Sequence, residues 1–250
     1  MDKRIEKKYL IEAINYCDAL PETPATIHES ESPDFVLKYD SIDIGVEVTS
    51  LYRGKYINGK SIEKEREVLR NQVIDKARKR FGEMYTDGVH VEICWKNDYR
   101  LTHNQTFLIS ENIAALVKKM LDDQVTMAIM RANDLLEQFE LDNCLYFINA
   151  VNCGTKSIWN TTIADFFDAN IENLQLVINK KNKLIDQYLS NCNECFLLIV
   201  ADGSNYSSLI DVSPDVLLHK FQSSFRHTYL LCINSFNEPP VSLYELACSA

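Results

Sequence analysis

The sequence predicts an α/β protein with a mixed central β-sheet flanked by helices. Segments of helical and strand periodicity alternate along the chain, the pattern of a sheet covered by helices. The run Cys195-Phe196-Leu197-Leu198-Ile199-Val200-Ala201 is apolar on both faces, as a central strand covered from both sides requires. A single helix followed by three strand candidates opens the chain.

In that helix, Ile5, Tyr9, Leu10, Ala13, Ile14 and Cys17 recur at helical spacing, which predicts a helix over 5–19 ended by Pro21 and Pro24. Strands are expected near 26–29, 34–39 and 43–50. In the third, Ile42, Ile44, Val46 and Val48 alternate with Asp43, Gly45, Glu47 and Thr49, so Glu47 and Thr49 share one face and the valines the other. Ser61 is an N-cap candidate for a long charged helix over 61–84, with Ile62, Leu69, Val73, Ala77 and Phe81 as its apolar stripe. Residues 89–95 alternate as a half-exposed strand, 110–139 read as one or two helices, and 144–151 as another strand. Asn170 can cap a helix over about 171–190 that leads into the central strand 195–201. Pro214 marks the first turn of a short helix, and Tyr229-Leu230-Leu231-Cys232-Ile233 is a second buried strand.

A chain of 250 residues suits one large domain or one domain with an insertion. No apolar run approaches the roughly 20 residues of a membrane span, and the charged start Met1-Asp2-Lys3-Arg4-Ile5-Glu6-Lys7-Lys8 lacks the apolar core of a signal peptide. No membrane association is expected, and the expected compartment is the cytoplasm. Cysteines such as Cys144 and Cys232 sit inside apolar runs and read as reduced, buried thiols. Only Cys192 and Cys195 have CxxC spacing, and no second pair completes a zinc site. The net charge of −10 argues against nucleic-acid binding by the whole surface and leaves local basic clusters as candidates. These are Arg53, Lys55 and Lys60, then Lys76, Arg78, Lys79 and Arg80, then Lys180, Lys181 and Lys183; each also reads as a solvated face. Trp95, Tyr99 and Tyr52 can stack on bases or belong to the core or its rim. His28, His90, His103, His219 and His227 show no metal-binding spacing, and GxSxG, Walker A and GxGxxG motifs are absent, which argues against serine-hydrolase, ATP-driven and dinucleotide chemistry.

The acids carry the strongest chemical signal. A hairpin of the strands near 34–39 and 43–50 brings Asp34 and Glu47 to one sheet edge, where two carboxylates can share a hard divalent cation. A lysine complicates the helix over 171–190: Leu174, Ile178, Lys181, Ile185 and Tyr188 follow a 4-3-4-3 spacing that puts Lys181 inside the apolar stripe. Either its stem is buried with the charge in water, or its ammonium points over the sheet toward Asp34 and Glu47.

Pro33-Asp34 followed by Glu47-Val48-Thr49 resembles the motif of the PD-(D/E)xK nuclease superfamily, and the order helix, three strands, helix, strand resembles its restriction-endonuclease-like core. The strong part of the likeness covers about 15 residues. It implies that Asp34, Glu47 and the carbonyl of Val48 bind Mg²⁺ or Mn²⁺, with Glu6 and Glu31 as additional ligand candidates. Thr49 stands where the family has its lysine, and Lys181 is the expected replacement, ahead of Lys38, Lys76 and Lys180. The closing helix and strand are either 61–84 with 89–95 or, as preferred here, 171–190 with 195–201; the second choice makes about 58–165 an insertion in a single domain. The resemblance implies a metal-dependent nuclease acting on nucleic acid, with DNA favoured, in roles that include phage defence, and working as a homodimer or with a regulatory partner. Two alternatives stand beside it: a catalytically degenerate nuclease fold kept as an interaction module, and a metal-dependent phosphohydrolase acting on nucleotides.

Overall fold

The computed structural model describes residues 2–17, 20, 24–54, 56–57, 60–97, 99–129, 135–154, 156–162, 169–203, 206–233 and 241–249. The chain forms two compact units, one built from Met1–Glu63 and Phe166–Ala250, the other from Lys64–Asp165. The sequence expectation placed an insertion at about 58–165, close to the bounds of the second unit.

Helix α1 (Lys3–Tyr16) starts where the Asp2 carboxylate accepts the Arg4 N–H at 2.9 Å, so the cap fixes Lys3 and Glu6 in the first turns. Strands β1 (Thr26–Glu29), β2 (Phe35–Lys38) and β3 (Asp43–Ser50) follow as an antiparallel meander. The short ribbon of β4 (Tyr56–Ile57) and β5 (Lys60–Ser61) precedes helix α2 (Ile62–Met84), most of which belongs to the second unit.

The second unit continues with β6 (Gly88–Trp95), α3 (Thr106–Asp122), β7 (Met127–Ile129), α4 (Leu135–Gln138), β8 (Leu145–Gly154) and β9 (Ile158–Thr162). Its four strands form a sheet of their own, ordered β7-β8-β6-β9, with β6 and β9 parallel and the other pairs antiparallel. Val73, Ala77 and Phe81 of α2 and Ile113, Leu116 and Val117 of α3 close one core with Val91, Ile93 and Trp95 of β6. This corrects the helical reading of 110–139: α3 ends at Asp122, Gln124 turns the chain at φ 58°, and Met127–Ile129 pair with β8. Helical spacing continues across this stretch, but the left-handed residue and the ladder partner decide for a strand. Trp95 is fully buried with the Arg70 guanidinium over its ring at 5.5 Å, so it is not available for stacking on bases, and Tyr99 is half-buried against the same core.

The first unit resumes with α5 (Ile171–Asn182), capped by the Asn170 side chain, which accepts the Asn173 N–H at 3.1 Å. The expected helix over 171–190 breaks after Asn182 and resumes as α6 (Ile185–Leu189). Strand β10 (Glu194–Asp202), α7 (Pro214–Leu218), β11 (Phe221–Gln222), β12 (His227–Ile233), β13 (Val241–Glu245) and β14 (Cys248–Ser249) complete the unit. Its six-stranded sheet is ordered β1-β2-β3-β10-β12-β13. The three central strands β3, β10 and β12 run parallel, and the outer ones pair antiparallel, so the sheet is mixed. One face buries Val46, Val48, Phe196, Leu198 and Leu231 against Tyr9, Leu10 and Ala13 of α1. The other buries Leu197, Ile199 and Leu230 against Leu174, Ile178 and Tyr188 of α5 and α6. Both faces of β10 are thus covered, as its unbroken apolar run requires. The strands expected to build one sheet are divided between two, because residues 88–95 and 145–154 pair with each other. Among the described residues, no helix is long and apolar enough to cross a membrane.

Candidate active site

Strand β3 carries the site on a ladder with two sides. Its even-numbered residues bond toward β2, where Phe35 pairs with Val46, and its odd-numbered ones toward β10, where the Leu51 N–H meets the Val200 carbonyl at 2.8 Å. Asp34 stands one residue before the last β2 rung. Its Oδ2 accepts the Val48 N–H at 2.9 Å, while Glu47 Oε2 accepts the Asp34 N–H at 3.3 Å. The two carboxylates therefore brace each other's strands where β2 begins. A strand residue projects its N–H and C=O to the same side, so the Val48 carbonyl faces this flank too.

Period two sends Val46 and Val48 into the α1-side core and Glu47 to the opposite face, under α5. Glu47 is only 5% exposed. Lys181 comes down from α5 and pairs with Glu47 Oε1 through a very short contact. Of the two readings of this lysine, the ammonium turned toward the sheet is the one found, in contact with Glu47, whereas the ammonium on Asp34 is that of Lys3. Burial pushes the Glu47 carboxyl above its ordinary value, the Lys181 ammonium opposes that rise, and the Asp34 charge adds to it. The buried Tyr188 hydroxyl of α6 lies against Glu47, and its interaction with that carboxylate favours the charged form of Glu47. Burial first, and then the Glu47 charge, hold that phenol well above its ordinary value.

A second ammonium approaches from α1. Lys3 Nζ lies 2.5 Å from Asp34 Oδ1, 3.3 Å from the Asp34 carbonyl and 3.3 Å from Glu6 Oε2. Burial works against its charge most strongly of any one cause, but the bonds to and charges of Asp34 and Glu6 together exceed it and raise its pKa. Glu6, an additional ligand candidate, is 6% exposed and reaches Asp34 through Lys3. Glu31 is exposed on the turn before β2, and Thr49 is half-buried on the Glu47 face of β3.

The other basic candidates lie elsewhere. Lys38 pairs with Asp43 at 2.8 Å, Lys76 bonds Thr106 at 2.9 Å, and Lys180 and Lys183 are exposed. Arg80 is held by Glu83 and Glu111, and Arg78 by Asp75. Arg53 is buried beside Glu63, Lys60 and Lys79 are exposed, and Lys55 lies outside the described residues. Tyr52 is half-buried, its N–H donated to the Tyr56 hydroxyl at 2.9 Å.

No family model, curated protein or solved structure matches this chain. What the site can do is therefore read from its own donors and charges.

The donor set suits a hard cation. Two carboxylates and a strand carbonyl face one flank, and Mg²⁺ is commonly held by one or two carboxylates with water completing its shell. The buried Tyr188 hydroxyl, close to Glu47, adds a polar group beside them. No group of three or more His, Cys, Asp or Glu side chains with metal-binding geometry occurs among the described residues, so the protein supplies two acids and not a closed cage.

Two residues of the site were not singled out as such from the sequence. Lys3 carried a legible signal, because an Asp2 cap puts it three residues before Glu6 on one helix face. Tyr188 stood in the same stripe as Lys181 but reads there as an ordinary apolar contact.

Proposed function

We propose that this protein is a metal-dependent nuclease of the PD-(D/E)xK kind, hydrolysing phosphodiester bonds of nucleic acid. The observation that carries the reading is the Lys181 ammonium on Glu47, delivered by the helix before the strand that lies parallel to β3. It supplies beside the second acid the positive charge that Thr49 lacks. The order α1, β1–β3, α5, β10 also follows the core that the motif resemblance implies.

Asp34, Glu47 and the Val48 carbonyl would hold Mg²⁺ or Mn²⁺. When bound, the cation supplies an activated water and offsets charge on the phosphate. Lys181 orients that water or stabilises the anion, and the Tyr188 hydroxyl offers a donor in the same buried polar patch. Lys3 holds Asp34 in place from α1, so the acid is fixed before substrate arrives.

One observation favours a second reading. Each motif acid already has an ammonium partner, Asp34 through Lys3 and Glu47 through Lys181. A site neutralised from within suits a nuclease fold kept as an interaction module.

Cleavage of plasmid DNA, single-stranded DNA and RNA with Mg²⁺, Mn²⁺ or EDTA separates the two. The nuclease reading expects metal-dependent cutting that falls by about 10²-fold or more in Asp34→Asn, Glu47→Gln and Lys181→Met. No cutting of any substrate, together with no Mn²⁺ binding by calorimetry, selects the interaction module. Cutting that survives Lys181→Met removes the lysine from the mechanism.

A further inference from the structure

Beneath the acidic site lies a thiol pair that the proposed hydrolysis does not use. Cys192 is half-buried in the segment between α6 and β10, and Cys195, the second residue of β10, is 1% exposed. Both thiols lie over Gly45 of β3, two residues before Glu47. A Cβ on Gly45 would meet Cys192 Sγ at 2.6 Å, Cys195 Sγ at 3.3 Å and Pro33 Cγ at 2.7 Å. The sulfurs thus converge on one point of β3, against the proline that precedes Asp34. The loop that bears them is tied to the same strands. Asn191 Nδ2 donates to the Ser32 carbonyl at 2.8 Å, and Asn193 exchanges two bonds of 2.9 Å with the Asp43 backbone.

We propose that Cys192 and Cys195 form an oxidation site for small hydroperoxides, closing to a disulfide beneath the strands that carry Asp34 and Glu47. Cys192 is the attacking group. As a thiol it lies 3.3 Å from the Tyr188 carbonyl; as a thiolate it accepts from Cys195 and from the Gly45 backbone. The hydrogen bond from Cys195 is the main cause of its lowered pKa, about 7, while burial works against it. Cys195 is correspondingly raised and stays protonated until the second step.

The Cys192 thiolate attacks the peroxide, an S–O bond forms, the O–O bond breaks, and the leaving oxygen takes a proton to depart as water or an alcohol. Cys195 sulfur then attacks Cys192 sulfur. The S–S bond forms, the S–O bond breaks, and hydroxide leaves as water with the Cys195 proton. Two thiols are oxidised and one hydroperoxide is reduced. The exposed Cys153, whose thiol donates to the Lys156 carbonyl, is an internal control for unselective oxidation.

The test uses the full chain and hydrogen peroxide, followed by alkylation, digestion and mass spectrometry. The expected peptide bearing both residues is unalkylated and lighter by two hydrogens, and dithiothreitol restores both thiols. In Cys195→Ala, dimedone should trap Cys192 as the sulfenic acid, and its iodoacetamide reaction at neutral pH should slow by about tenfold. Cys192→Ser should abolish rapid peroxide consumption. Amide hydrogen exchange over 43–48 should slow in the disulfide form. Two free thiols after a dose that oxidises Cys153, or a Cys192 sulfinic acid without a disulfide, overturns the proposal. Unchanged exchange over 43–48 overturns its link to the carboxylates. None of these readouts depends on nuclease activity.

Discussion

Lys181 is the residue on which the most turns. Its ammonium is the counter-ion of a carboxylate that is almost fully buried. Removing it leaves Glu47 charged without a partner or forces it to take a proton, and breaking such a pair costs more than forming it gains. Lys181→Met is expected to lower stability by about 2–4 kcal/mol in urea unfolding, with Glu47→Gln in the same chain recovering part of the loss. A loss below about 0.5 kcal/mol would mean that the lysine sits in water and that the pairing is incidental. Tyr9 offers a test by pH. Its hydroxyl donates to Asp202, and burial first, then that bond, raise the phenol above its ordinary 10.0. The folded state therefore keeps a proton that the unfolded chain releases, so this stabilisation is complete below pH 10.0 and lost as pH rises further. Urea unfolding across alkaline pH should show stability falling in that window, with a shallower fall in Tyr9→Phe.

The strands β2 and β3 and the turn before β10 are held at a separation that tolerates only glycine at position 45. The space a Cβ would need is taken by the Pro33 ring and two short thiol side chains, none of which can swing far. Gly45→Ala is expected to destabilise the first unit by about 1–3 kcal/mol and to raise the amide exchange of β3. A neutral or stabilising effect would show that the packing there relaxes freely. The sequence displayed β3 clearly, since its alternation placed the valines and Glu47 on the faces they occupy. It displayed the Asn170 cap as well. It did not display β9 or β13, which are only five residues each and become strands through the partner each one finds.

At the scale of the whole molecule, two separate cores predict two separate responses. Phe81 is buried in the core of the second unit, and Leu197 in the first. Phe81→Ala is expected to cost about 3–5 kcal/mol and to speed hydrogen exchange in β6 and β8 while leaving β3 and β10 unchanged. Equal acceleration in all four strands would show a single cooperative unit.

The sequence by itself determined the α/β class, the buried central strand, the two acids on neighbouring strands and the lysine within an apolar stripe. Each is local, because period and residue type in a short window decide which side chain faces which side. Only the tertiary structure decided that Lys181 turns inward to Glu47, that Lys3 meets Asp34, that the strands divide between two sheets, and that two cysteines converge on Gly45. Those outcomes depend on which distant segments pair. Pairing is set by the burial gained across the whole chain and cannot be read from any one window.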